Sequence, residues 1–428
     1  KFQMKFEEET KILSVAAAAP YICSRDEKTR KQAYFAINDS WRAQGPILAK
    51  ALSSLAGWRL EEFNKRSHTR EMDYLEVPLR ISRIRRETLD AMISAVEARS
   101  HIAKKIVQLK NRALGFGDTV HGWNLSAPPP LIQDSSDTKV TFDQAIEILQ
   151  RALKPYHPYF AEFVQRMAEN GQIDARMGDN RRPGAFCTSF AKSRRPHVFM
   201  SFSGEFHDIR TLAHELGHAF HNDALSSLTF AESSYPMTLA ETASIFTETL
   251  VGDHLIEHEA NQQLVLNSMW TEVSVASTML IGIPWRYHFE HRLYQERKNG
   301  ALSAQQLEGL SQETYRQTFG NLVVEVPESS WMKTLHYYID GRYFYNFPYT
   351  FGYLFSLAIL NQRETWGDHF YDQYVALLQD TGRMKVEDLA DKYFKADLSR
   401  ETFWHQALDI VERKTGQFES KLLELGLI

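Results

Sequence analysis

Cysteine is almost absent from this sequence. Only Cys23 and Cys187 occur in 428 residues, so no disulfide framework can hold the fold together, and a reducing compartment, the cytoplasm, is expected. Both are read as plain thiols. Long apolar runs are also lacking: the longest, Ile12 to Ala19 and Met279 to Trp285, fall short of the roughly 20 residues that cross a bilayer, which points away from a membrane. Nor is there a basic field. Formal net charge is -5, and the cluster Arg83, Arg85 and Arg86 reads as a solvated helix face, which points away from nucleic acid. The N-terminus, Lys1 to Glu8, has no initiator Met at position 1 and no apolar core of a signal peptide, so the numbered chain is expected to begin inside a longer one.

With 43% hydrophobic and 24% charged residues, the chain has the composition of a folded protein with a large core. From Asp26 to about Leu114, apolar residues recur at three- and four-residue spacing among charges, as in Leu89, Met92, Ile93 and Val96, which predicts long amphipathic helices. Gly115-Phe116-Gly117-Asp118 and Ala127-Pro128-Pro129-Pro130, continuing through Ser135-Ser136-Asp137, break the pattern. They divide a helical segment, 1–125, from a second region, 140–428, that can pack with it as one body. Thr141 and Gln144 have the spacing of a capping box ahead of a helix over Ala145 to Leu153. Between Gly171 and Ser203, short segments punctuated by glycine and proline, with His197 to Phe202 of strand composition, predict a small antiparallel sheet. Helix then resumes almost to Ile428, with loops near Asn299-Gly300 and Val326-Pro327.

The chemistry concentrates in His214-Glu215-Leu216-Gly217-His218. Two histidines four apart on a helix project from one face toward a single metal, and HExxH places a general base between them. At about 100° per residue His214, Glu215, His218 and His221 share one arc, with Leu212, Leu216, Ala219 and Phe220 opposite. Gly217 costs a helix about 1 kcal/mol relative to Ala, so another element is expected to pack close there. A catalytic zinc takes three protein ligands and keeps a position for water. Glu241, in a second helix after the breaker Pro236, is the candidate third ligand, and an antiparallel return would bring it over the histidines. Glu248, two turns on, is either a support for a ligand or an ordinary surface acid. His221 is read as a neighbour of the site, since a fourth protein ligand would close it.

Thr211 to His221 followed by Glu241-Thr242-Ala243-Ser244 resembles the oligoendopeptidase F branch of the thimet-oligopeptidase family. The likeness extends to Pro183-Gly184-Ala185-Phe186-Cys187 and to Phe344 through Tyr353. It implies a mainly α, zincin-type (neurolysin-like) metallopeptidase with a deep cleft and one Zn2+ per chain on His214, His218 and Glu241. The small sheet would lie beside the HExxH helix. It further implies hydrolysis of internal bonds in short, unfolded peptides, with Glu215 as general base. Family members usually carry a helical lobe ahead of the region where this chain starts, so 1–125 is expected to continue a lobe missing from the N-terminus.

Tyr345, Tyr349 and Tyr353 recur every four residues, so a helix would present all three phenols on one side. The resemblance implies that a His and one or two Tyr of this segment bind the carbonyl oxygen, with His336 and Tyr349 favoured and Tyr345 and Tyr353 behind them. The strand His197 to Phe202 is expected to hold substrate as an added strand. Two other readings stay open. One is a helical zinc exopeptidase of dipeptidyl or mono-carboxypeptidase type. The other is a non-catalytic peptide-binding fragment, although a structural zinc site is normally closed by four ligands, often cysteine. Short peptides are the expected partners, and the oligomeric state is not legible.

Overall fold

The computed structural model describes residues 2–5, 10–13, 15–132, 139–178, 181, 184–326 and 329–428. Ser135, Ser136 and Asp137 of the expected break, Asp179, Asn180 and Pro183, and Pro327 of the expected loop lie outside them. A hairpin of β1 (Phe2–Lys5) and β2 (Thr10–Leu13) precedes α1 (Val15–Ile22). The predicted long helices follow as α2 (Glu27–Arg42), α3 (Gly45–Arg66), α4 (Glu76–Ile81), α5 (Arg86–Ala98) and α6 (His101–Ala113).

The segment after α6 is tied down rather than loose. Asn111 donates to the carbonyls of Gly117 and Thr119, Val120 bridges to Val323, and Trp123 and Ala127 are buried. The capping box forms, with Thr141 Oγ1 accepting from the Gln144 N–H and Gln144 returning the bond, and it starts α7 (Phe142–Leu153) ahead of α8 (Pro158–Glu169).

A three-stranded sheet comes next, formed by β3 (Ile173–Asp174), β4 (Ala185–Ser189) and β5 (Pro196–Met200) in the order β3-β5-β4. It is mixed, not wholly antiparallel as expected: β4 runs antiparallel to β5, but the two-residue β3 pairs with β5 in parallel. So short a strand carries no alternation to read, and its direction is set by the crossing from α8.

The remaining helices are α9 (Phe206–Ala224), α10 (Met237–Ala240), α11 (Thr242–His258), α12 (Gln262–Ser277) and α13 (Ile283–Arg297), then α14 (Ala304–Phe319), α15 (Ser330–Lys333), α16 (Phe347–Trp366), α17 (Phe370–Asp380), α18 (Val386–Phe394) and α19 (Glu401–Glu424). Between α12 and α13 a π turn, Thr278–Gly282, keeps the run continuous. Pro284 has no N–H to return to that turn. This run, Gln262–Arg297, is the one described helix long and apolar enough to cross a bilayer, and 56% of its apolar window is buried inside the protein. More than half of that apolar window is therefore core.

Beside a small cluster of Ala18 and Ile37 that joins α1 to α2, the main apolar cluster extends from Ala49 to Leu422. The helical segment before residue 125 joins it, with α5 docked on α19 by Ser94 Oγ to Glu401 at 2.7 Å and by Arg99 to Asp409 and Glu412. Inside this cluster α9 and α11 pack most intimately. A Cβ at Gly217 would stand 2.5 Å from the Ala243 carbonyl oxygen and 2.6 Å from Ser244 Cα. The expected close neighbour is therefore the α11 backbone. Gly217→Ala is expected to destabilise the protein by about 1–3 kcal/mol despite better helix propensity, because backbone, not a flexible side chain, must move. A melting temperature unchanged or raised by this substitution would contradict the close approach.

Candidate metal centre and active site

Glu205 caps the start of α9, with Asp208 Oδ2 accepting from the Ser203 and Glu205 N–H groups. The helix then presents His214 and His218 one turn apart, their rings 4.9 Å apart and nearly perpendicular. Glu241 lies in the joint between α10 and α11, directly ahead of the stretch that rests on Gly217. Gly352 of α16 closes on it from the other side, where a Cβ would sit 3.1 Å from Glu241 Cβ.

These contacts bring Glu241 Oε2 to 3.2 Å from His214 Nε2 and 3.5 Å from His218 Nε2. One donor atom from each residue lies within 4.8 Å of the others. Donors about 2.0–2.1 Å from a tetrahedral zinc stand about 3.3–3.4 Å apart, so the triad fits that ion.

The supports also fit. Glu248 Oε2 bonds His214 Nδ1 at 3.2 Å, which leaves Nε2 as the metal-facing lone pair. Arg210 holds Glu248 Oε1 through Nε and Nη2 at 3.1 and 2.9 Å, and donates to the Ser268 carbonyl. Glu248 is thus a buried support and not a surface acid. His218 bonds the Ala240 carbonyl, and Ser244 Oγ donates to Glu241 Oε2 at 2.9 Å.

Burial favours a neutral His214, yet the bonds to Glu241 and Glu248 override it and raise its pKa to about 10. Burial and the His214 charge instead depress His218 to about 4. The pocket carries surplus negative charge that a cation would neutralise.

Glu215 is 6% exposed, and its carboxylate accepts the Cys187 N–H of β4. Burial raises its pKa to about 7, with the Glu241 charge adding to the shift and His214 and the Cys187 N–H opposing it. Its Oε2 has no partner among the described residues. Cys187 packs nearby, its thiol pushed up to about 12 by burial. His221 is fully buried, bonded to Thr381 Oγ1 at 2.9 Å and stacked on Tyr235, away from the metal face.

The C-terminal segment supplies fewer groups than its spacing suggested. Phe344 has a positive φ of 53°, its N–H bonds Glu290, and Pro348 fixes the start of α16, so Tyr345 precedes the helix. The three phenols therefore do not share one face. Tyr349 stacks parallel on His336 at 5.6 Å, and Tyr345 stands edge-on to both. His336 Nδ1 is anchored by Asn346 Oδ1 at 3.0 Å. The Tyr345 phenol is engaged by Arg342 and Met237 Sδ, whereas the Tyr349 phenol bonds no described residue and senses Glu241. Tyr353 is 6% exposed and faces Glu272, Arg210 and Glu248 in the interior, so the fold does not bring it to the cleft.

Residues 21–395 match Peptidase family M3. The chain belongs to Peptidase family M3.

Among curated relatives of this family M3 chain, oligopeptidase PepF of Bacillus subtilis (strain 168) is 23% identical over 415 residues, covering 95% of this chain and 59% of its own length. Oligoendopeptidase F of Lactococcus lactis subsp. cremoris is 21% identical over 337 residues, covering 77% and 54%. The chain thus spans between a half and three fifths of the length of these relatives. The solved oligoendopeptidase-F from Enterococcus faecium superposes with a TM-score of 0.72 at 17% identity, over 99% of this chain and 69% of that one. A chain from Chlamydophila abortus assigned as a peptidase gives 0.83 at 21%, over 98% and 69%. At these identities the solved structures establish the shared fold.

Reading this M3 chain from sequence missed Arg210, whose only linear signal is its place one turn ahead of His214. It also missed the edge position of β4. Because β5 is paired on both sides, the expected substrate strand has no free edge, and β4, whose Cys187 N–H faces Glu215, is unpaired on its other side among the described residues. Glu248→Ala is expected to weaken zinc binding by about 10- to 100-fold by freeing the His214 ring. Competition against a chromophoric chelator measures this, and an unchanged affinity would remove Glu248 from the metal centre.

Proposed function

We propose that this chain hydrolyses internal bonds of short, unfolded peptides, using one zinc ion held by His214, His218 and Glu241. The observation that carries the reading is a three-donor set beside Glu215, a buried carboxylate with an unpartnered oxygen. Three protein donors leave a fourth position open. When bound, zinc supplies Lewis-acid polarisation and lowers the pKa of water from 15.7 to about 7.

The protein's own groups do the rest. Glu215 Oε2 accepts the proton of the attacking water and later delivers it to the leaving amine nitrogen. The Cys187 N–H steadies that carboxylate. Burial pushes the Tyr349 phenol up to about 12, so it stays a protonated donor and bonds the carbonyl oxygen as negative charge develops there. His336, fixed by Asn346 and stacked on Tyr349, holds the phenol ring in place. An extended peptide added along the free edge of β4 is gripped through its backbone, which makes side-chain preference weak.

Internally quenched peptides blocked at both ends test the reading, since an exopeptidase leaves them intact. Glu215→Gln is expected to retain one equivalent of zinc and lose nearly all hydrolysis; unimpaired turnover would remove Glu215 from the mechanism. Tyr349→Phe is expected to lower kcat by about 10²- to 10³-fold with zinc content unchanged. A negligible effect there would transfer the oxyanion role to Tyr345.

A further inference from the structure

A cavity of about 920 Å3 opens between α2, α6, the α12–α13 run and the start of α9. It is large enough for several residues of peptide. Asn38, Lys110, Phe206, Met279, Arg286 and Lys333 are on its wall.

Arg286 is the anomaly there. Its guanidinium makes no hydrogen bond, ion pair or ring contact with any described residue, and its Nε is buried without an acceptor. Lys333, at the end of α15, is exposed to the cavity, and its Nζ reaches only Asn38 Oδ1, at 3.4 Å. Although the side chain opens to the cavity, the surrounding walls withdraw its ammonium from bulk water, and this desolvation and then the Arg286 charge depress its pKa to about 8. The only acid among the described wall residues, Glu205, caps α9 and pairs with Lys139 at 3.7 Å. Lys110, on the same wall, is by contrast satisfied by Ser274 Oγ at 2.7 Å and by the Trp270 ring.

Two neighbouring cations without a counter-ion repel each other, and buried charges are normally paired. Arginine cannot relieve this by losing its proton. The planar fork of a guanidinium matches a carboxylate in two parallel hydrogen bonds, and an adjacent ammonium adds a point charge. Met279, on the same wall, accepts a hydrogen bond from Thr350, the residue after Tyr349 on α16, so the cavity opens against the helix that carries that phenol.

We propose that Arg286 and Lys333 form a subsite for a carboxylate of the peptide substrate, either its C-terminal α-carboxylate or an Asp or Glu side chain. The proposal rests on the peptidase reading above and gives it a register. A carboxylate held at a fixed place in the cleft sets which bond lies over the metal, while backbone pairing along β4 leaves the intervening side chains free.

The test uses the zinc-loaded full chain and two pairs of quenched peptides. One pair differs only in a free or amidated C-terminus, the other only in Glu or Gln at one internal position. The free-acid or Glu member is expected to show about 10- to 100-fold higher kcat/KM, mainly through KM. The pair that discriminates identifies the source of the carboxylate. Arg286→Gln and Lys333→Gln are each expected to reduce that preference sharply while the neutral peptides are cleaved as before. If Arg286→Gln fails to fold, the exposed Lys333→Gln still decides.

Fluorescence anisotropy of the same peptides on the Glu215→Gln chain reads binding without turnover. Discrimination in binding with no hydrolysis by the unsubstituted chain retains the subsite and defeats the peptidase reading. Hydrolysis with no discrimination in either pair defeats the subsite alone. Variants that weaken charged and neutral peptides equally also overturn it.

Discussion

The site depends on one contact that involves almost no side chain: the backbone of α11 lying against Gly217 in the middle of α9. Because Glu241 immediately precedes the residues in that contact, the distance from Gly217 to Ala243 and Ser244 fixes where its carboxylate falls relative to His214 and His218. Gly352 repeats the device from α16. The Glu241 joint is clamped between two helices that have surrendered their Cβ atoms, each at some cost in helix propensity. The loop between α9 and α10 can then vary without moving the donors, since it does not set their geometry.

Electrostatics makes the clamp useful. Glu215, Glu241 and Glu248 are all largely withdrawn from solvent, while Arg210 is the one buried cation bonded among them. In a low-dielectric volume such an imbalance is resolved by binding positive charge. His214 accepting a proton against its own burial is one resolution. A divalent ion would be another, since it would satisfy Glu241 and both imidazoles at once and leave Nδ1 of His214 to donate to Glu248.

Those parts of the site that follow from local periodicity were legible in the sequence. His214 and His218 share a face by helical geometry alone, Gly217 marks a close approach because glycine is costly there, and Pro236 marks the restart that leads to Glu241. Thr141 and Gln144 likewise report a cap through their own side chains. What escaped was decided by partners far away in the chain. The four-residue recurrence of Tyr345, Tyr349 and Tyr353 assumes a helix that already exists at Tyr345, but the left-handed Phe344, bonded by Glu290, delays it. Whether Glu248 is a surface acid turns on Arg210, and whether β5 offers an edge turns on a two-residue strand with no pattern of its own.

The α12–α13 run shows how one helix serves core and cleft together. More than half of its apolar window is buried, so much of its composition answers to packing. At the π turn the regular ladder is interrupted, and Thr350 Oγ donates to the Met279 carbonyl at 2.6 Å to satisfy part of what the ladder loses. An inserted residue rotates the following turn relative to the preceding one, which lets α13 direct Arg286 into the cavity while its neighbours Trp285 and Tyr287 stay buried. An arginine left without an internal acceptor lowers stability compared with a paired one. Fold requirements alone do not call for it at this position, and the open cavity on one side is what makes the charge tolerable.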